Sequence, residues 1–324
     1  MYYFGKTMSQ QHGFSTVTKR QTILYLATIV VLALLPIFIK SPYTYHILIL
    51  TFVYITATCS LRTLAISGQV SMAHAGFMSI GAYTSAVLSR YMGWSPWLTM
   101  PLGALATMMV GVLIGFPFCR VRTIYFSMVS LFFGIGILSV NSIFGKYTGH
   151  INGMIGIPPL FIGSRMPYYF FFLGLMAACL IFLWRFESCR IGICLKAVNQ
   201  SHAVAASVGI SETKFRVLAM GVSCFVVGLV GAGYAHYNMV LSYSSFDLLA
   251  SINMLVYTLI GGIASFAGPI VGTAVLFMIP EIFRQLKEYT PFLFAGILLL
   301  VIFLMPRGLV GLFDQIRSLV RKEK

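Results

Sequence analysis

Apolar runs follow one another along nearly the whole chain, separated by short stretches carrying charges or Gly, Pro and Ser. Most approach the roughly 20 residues that an α-helix needs to cross a hydrocarbon core. In order they predict spans at 22–39, 43–61, 66–91, 98–118, 124–144, 168–184, 217–237, 248–263, 266–282 and 292–305. Arg62, Arg120 and Arg122 close the second and fourth of these. The division near Ser265 is marked by no charge. The runs are continuous rather than alternating, which argues against a β-barrel. The expected fold is an all-α polytopic membrane protein of about ten transmembrane helices, some of them interrupted.

Composition agrees. The 324 residues are 59% hydrophobic and only 9% charged, with a mean hydropathy of +0.91. A soluble core cannot hide that much apolar surface. The net charge of +15 invites a nucleic-acid reading, but the basic residues lie between apolar runs and form no single face. The positive-inside rule explains them, so membrane lipid is the expected contact and nucleic acid is not. With the N-terminus inside, the 22 Lys and Arg residues divide sixteen to six. The outer six are Lys40, Arg90, Lys146, Arg165, Arg284 and Lys287. Both termini are therefore expected in the cytoplasm, with a polar segment at 1–21, a transmembrane domain at 22–306 and a basic tail at 307–324. The first run ends at Lys40 without a small-residue cleavage site and reads as an uncleaved helix. The six cysteines form no CxxC pair. They read as small apolar residues, neither a disulfide framework nor a metal site.

The stretch 185–216 divides the apolar runs in two and carries Arg185, Arg190, Lys196, Lys214 and Arg216. Cys194, Val198, Ser201, Ala205 and Val208 recur at helical spacing, and Gly209 stands where a helix would stop. The surface of this helix is small, through Ala203, Ala205, Ala206 and Ser207. Such a helix suits close docking of another protein, and a solvated connecting loop fits the same pattern.

Two runs are interrupted. Residues 66–81 place Gln69, Ser71 and His74 among Gly68, Gly76 and Gly81. Residues 259–273 carry Gly261 and Gly262 in a similar Ser-x-Ala, Gly-rich texture, hinting at two related halves. Non-helical backbone at membrane depth survives only against protein or a watery cavity. Both places thus read as translocation path or as tight helix packing. A lone histidine such as His74 is more often a packed, hydrogen-bonded residue than a ligand. Of the acidic residues only Asp247 and Glu281 approach membrane depth, and both fall at the ends of runs. No central carboxylate is expected, which argues against ion coupling. The chain has no HExxH, GxSxG or GxxxxGK[ST]. The glycine run at 228–233 lies within an apolar run and reads as helix packing. No catalytic residue or cofactor is expected in this chain, and any ATP must be bound by another.

The motifs GQVSMAHAGFMSIGAYTSA (68–86), TGHINGMIGIPP (148–159), AVNQSHAVAASVGIS (197–211), LIGGIASFAGPIVGTAVL followed by Pro280–Glu281, and MPRGLVGL (305–312) stand in this order. Together they resemble the branched-chain amino-acid ABC transporter permeases, in the M-subunit branch, over 61–312. The resemblance implies the pore-forming subunit of a bacterial inner-membrane importer, not an enzyme. It implies four kinds of partner: a homologous second permease, two cytoplasmic ATPases that hold ATP and Mg, an extracytoplasmic solute-binding protein, and lipid. It assigns contact with an ATPase to Ala205, Ala206, Gly209 and Ile210. It puts Thr148, Gly149, Gly153, Gly156, Ile157 and Pro158 in an outer loop, and Gly68, Gln69, Ser71, His74 and Gly76 in the path or its packing. Asn199, Gln200 and His202 stand where the family usually has acids, so docking would rely on shape and hydrogen bonds. His150 replaces a usual glycine. The implied substrate is a branched-chain or related small amino acid. Urea or short amides in the same kind of permease, an ion-coupled secondary carrier, and an integral-membrane enzyme or structural subunit are the competing readings.

Overall fold

The computed structural model describes residues 41–282, apart from 122, 144 and 150–152, together with Leu32 and Gly296. For 141, 142, 146, 147 and 279–282 only the backbone is described. The expected runs at 22–39 and 292–305, the segments 1–21 and 307–324, His150, and the side chains of Pro280 and Glu281 lie outside the described residues.

The helices are α1 (Pro42–Ala65), α2 (His74–Met92), α3 (Pro96–Phe118), α4 (Thr123–Ile143), the one-turn α5 (Gly145–Thr148), α6 (Met166–Ser188), α7 (Arg190–Gln200), α8 (His202–Ser207), α9 (Glu212–Asn238), α10 (Leu248–Gly261) and α11 (Ala267–Ile282). Between them come β1 (Met154–Ile155), β2 (Val240–Leu241) and a 3-10 turn at Tyr243–Phe246. Proline opens α1 and α3, where its missing N–H costs no intrahelical bond. Among the described residues six segments are long and apolar enough to cross a membrane: α1, α3, Thr123–Val140 of α4, α6, α9, and Tyr243–Gly261. The chain is a polytopic α-helical membrane protein.

α1 and α9 are mostly buried, whereas α4 is mostly exposed. The outer faces of α3, α4 and α6 are themselves apolar, with Met109, Leu113, Ile124, Phe132 and Ile181 exposed. That is the inverse of a soluble surface and fits a hydrocarbon surround. At the centre, α9 packs along α2 and α3. Small residues bring the backbones together. A Cβ at Gly81 would collide with the backbone of Gly228, and one at Gly103 would lie 2.6 Å from the Gly81 carbonyl oxygen. Gly231 rests on Met78 and Gly233 on Phe172. The glycine run at 228–233 is thus helix packing, as its setting predicts.

Contacts order the helix ends into two levels. One level, the basic end, gathers the last turns of α1, α3 and α6, the starts of α4 and α9, and α7 and α8. The opposite end holds β1 and β2, where Met154 pairs with Leu241 and Ile155 with Val240. It also holds His46, whose Nδ1 lies 2.8 Å from the Tyr237 hydroxyl.

Two expected elements change shape. The run at 66–91 is not one helix: residues 66–73 are non-helical and α2 begins at His74. Gly68 takes a positive φ of 84°, and Ser67 and Ser71 hydrogen-bond the nearby backbone, so local bonds compete with helix. The helix expected across 194–208 breaks at Ser201. Extended there, Ser201 ends α7 and caps α8 through its Oγ, which accepts from Val204 N–H. The division near Ser265 is real, a turn joining α10 to α11.

Candidate translocation and coupling site

The non-helical segment 66–73 lies at the basic end, in a shell of hydrogen bonds. Ser127 donates to the Val70 carbonyl at 2.8 Å, Met72 N–H donates to Ser130 at 3.0 Å, and Ala75 N–H donates to Ser251 at 3.0 Å. Gln69 accepts from the Cys119 thiol at 3.2 Å, but its amide nitrogen is buried without a partner. His74 is buried. Its Nε2 lies 2.7 Å from Ser60 Oγ and 3.1 Å from the Ala57 carbonyl. Ser60 already donates to Ala57, so it is left to accept from Nε2–H. Gly76 faces Gly134 and Ile137 across the α2–α4 contact. Gln69, Ser71, His74 and Gly76 are all buried. In the second interrupted place, Gly261 abuts Gly268 and Gly262 turns the chain with a φ of 103°.

This geometry ranks two variants. His74→Ala removes one bonded side chain, a loss of about 1–3 kcal/mol. Gly76→Leu drives several atoms into a contact where a single Cβ would already lie 3.1 Å from Ile137 and 3.4 Å from Gly134. The expected result is a greater loss of uptake and of membrane-inserted protein for Gly76→Leu. The reverse ranking would give the imidazole a ligand role.

Two buried arginines hold the interrupted places, and no pattern in the sequence marks what they bond. Arg62, on the last turn of α1, is only 2% exposed. Its Nε donates to the Ile263 carbonyl at 2.8 Å, in the α10–α11 turn. Its other two nitrogens grip Glu187 at 2.5 and 3.2 Å, a bidentate pair. Glu187 ends α6 and also takes Lys196 of α7 at 2.9 Å. Arg216, near the start of α9, is likewise buried. Its Nε points to the Ser67 carbonyl at 3.4 Å, and NH1 pairs with Glu212. Glu212 in turn lies 3.2 Å from Nδ1 of His202, the first residue of α8. Asn199 of α7 seats against Gly68: a Cβ there would lie 2.7 Å from its side-chain oxygen.

α8 and the residues after it form an exposed small-residue face: Ala203, Val204, Ala206, Ser207, Val208 and Gly209. Gly209 takes the left-handed φ of 80° expected of a helix stop. Ala205 is not on this face. It is buried beneath the segment. Ile210 is half-buried.

At the opposite end the loop residues come together around β1. Gly149 abuts Gly153, and Gly153 abuts Leu241. Thr148 is buried, and Ile157 N–H donates to the Met239 carbonyl at 3.2 Å. The Pro158 carbonyl accepts from His236 Nδ1 at 2.7 Å, and the Nε2 of that ring lies 2.8 Å from Ser85. Gly156 has open space beside it. The β1–β2 pairing and the role of His236 carry no signal in the sequence, because two-residue strands are too short to show a period.

Of the two acids expected at run ends, Asp247 is the one whose side chain is described. It caps α10 through Ala250 N–H at 2.8 Å and lies beside Met72, Gly76, Gly134, Leu138, Phe246 and Ser251. No ion pair engages it among the described residues.

The comparisons with known proteins bear on the whole bundle. Two relatives are the high-affinity branched-chain amino acid transport system permease proteins LivM of Salmonella typhimurium and Escherichia coli. Each is 29% identical, covering 90% and 89% of this chain and 76% and 74% of theirs. No solved structure matches. The family model for the branched-chain amino acid transport system, permease component, matches residues 43–305. That range takes in both interrupted segments, the coupling stretch between them and the paired loops at the opposite end, and the chain accordingly belongs to the branched-chain amino-acid transport permease family.

Proposed function

We propose that this chain is the transmembrane subunit of a binding-protein-dependent, ATP-driven importer of branched-chain or related small amino acids in a bacterial inner membrane. It works beside a homologous second permease, two cytoplasmic ATPases that bind ATP and Mg, and an extracytoplasmic solute-binding protein. The full chain has about ten spans with both termini inside. Residues 1–21 and 307–324 are cytoplasmic, and 22–306 form the permease domain with its coupling loop at 185–216. The basic end faces the cytoplasm. Of the described basic side chains, Arg62, Arg120, Arg185, Arg190, Lys196, Lys214 and Arg216 cluster there, against Arg90 and Arg165 at the other end.

The observation that carries this reading is the exposed small-residue face of α8, standing at the basic end and bonded into the bundle behind it. Such a face admits close approach of an ATPase surface, while energy enters the bundle through the side chains beneath it. Ala206, Gly209 and Ile210 remain its contact residues, with Ala205 as support. Thr148, Gly149, Gly153, Gly156, Ile157 and Pro158 lie at the outer mouth, toward the binding protein.

Reconstitution tests it. Liposomes holding the chain with its second permease and ATPases are expected to concentrate leucine only when ATP is inside and binding protein outside, and excess urea should not compete. Accumulation by the isolated chain, driven by an ion gradient without nucleotide, would instead establish a secondary carrier.

A further inference from the structure

We infer that Arg62 and Arg216 are positioning residues that carry motion from the coupling segment to the two interrupted places. The inference rests on the importer reading above and goes beyond it. Each arginine touches one interrupted segment through its Nε and an acid bonded to the coupling helices through its guanidinium ends. Arg62 joins the Ile263 carbonyl to Glu187, which Lys196 of α7 also holds. Arg216 joins the Ser67 carbonyl to Glu212, which contacts His202 of α8. The connections cross. Arg62 lies next to the first interrupted segment in sequence yet grips the turn of the second, and Arg216 grips the first.

The physical argument is stiffness. The Arg62–Glu187 pair is bidentate, which fixes orientation as well as distance, while Arg216 holds Glu212 one turn before it on α9. Both guanidinium groups are buried, so neither is released to water cheaply. Displacing α7 and α8 therefore moves Glu187 and Glu212, and the arginines draw the backbone at Ile263 and Ser67 with them. Asn199 adds a steric contact, because its side chain fills the space beside Gly68. These segments are where movement is available, since their backbone is non-helical. The first also holds the buried, unpartnered Gln69 nitrogen, a donor that a shifted segment could satisfy. The two connections thus form a contiguous route from the docking surface to the interrupted segments.

The test separates transmission from folding. In the complete reconstituted importer, amino acid transported per ATP hydrolysed is measured together with binding-protein-stimulated ATPase activity. Arg62→Lys keeps the charge but cannot reach Ile263 and both Glu187 oxygens at once. Glu212→Gln, on a partly exposed side chain, weakens the second connection. Each is expected to keep ATPase activity near wild type while the transport-to-ATP ratio falls at least about fivefold. The paired variant Arg62→Met with Glu187→Met removes both charges, leaves none buried alone, and should show the same uncoupling. If the wild-type complex does not import at all, the importer reading fails. If it imports and the variants keep its ratio, or lose both activities in proportion, the arginines are structural only and the inference is overturned.

Discussion

Gly81→Leu will leave almost no folded protein in the membrane. A Cβ at position 81 would collide with the backbone of Gly228, and backbone cannot rotate away as a side chain can. The same glycine carries a third element, since a Cβ at Gly103 of α3 would lie 2.6 Å from its carbonyl oxygen. Leucine must therefore push α2, α3 and α9 apart where all three meet. Overpacking of a core costs about 1–3 kcal/mol and occasionally more. A three-helix backbone junction belongs at the upper end, against a total stability of about 5–15 kcal/mol. Gly136→Ala and Gly174→Ala are the controls, because nothing lies within 4 Å of a Cβ at either position. Membrane-fraction yield and thermal melting in detergent should stay at wild type for both. Normal yield and melting of Gly81→Leu would show that α2 and α9 do not meet as described.

Ala206→Arg will abolish ATP-dependent uptake without lowering the amount of protein in the membrane. Ala206 is exposed on α8, so an arginine there meets solvent in the isolated chain and a neighbouring subunit only after docking. A loss of at least about tenfold in uptake is expected, which corresponds to about 1.4 kcal/mol of lost docking. Gly209→Arg should be as severe, but for two reasons. It adds the same bulk to the face and also forces a side chain into a left-handed φ of 80°, a backbone cost of about 1–2 kcal/mol. The pair of variants separates these effects: pull-down of the ATPase should fail for both, whereas only Gly209→Arg should loosen the α8–α9 junction in hydrogen exchange. Wild-type uptake by Ala206→Arg would remove α8 as the docking face.

Much of the site's location was legible in the sequence, and much of its wiring was not. Gly209 was readable as a helix stop because a small polar helix followed by glycine has few other uses. The two interrupted places were readable because serine, glutamine and histidine beside glycine break an apolar run. Arg62 was readable only as the charge closing a span, since a run of apolar residues does not say what its terminal arginine bonds. Its partners Glu187 and Ile263 lie 125 and 201 residues away. The outer strand pair is a long-range pairing of two short segments and leaves no periodic trace.

The sequence by itself determined that this is a helical membrane protein, which way its charges bias it, where the apolar runs break and which small residues can face a partner. These are local quantities, set by transfer free energy and backbone preference within some twenty residues. Only the tertiary structure decided that Ala205 is buried, that Met154–Ile155 pairs with Val240–Leu241, and that two buried arginines bond the interrupted segments. Burial and pairing of polar groups depend on which distant segment supplies the partner, and that is fixed by packing alone.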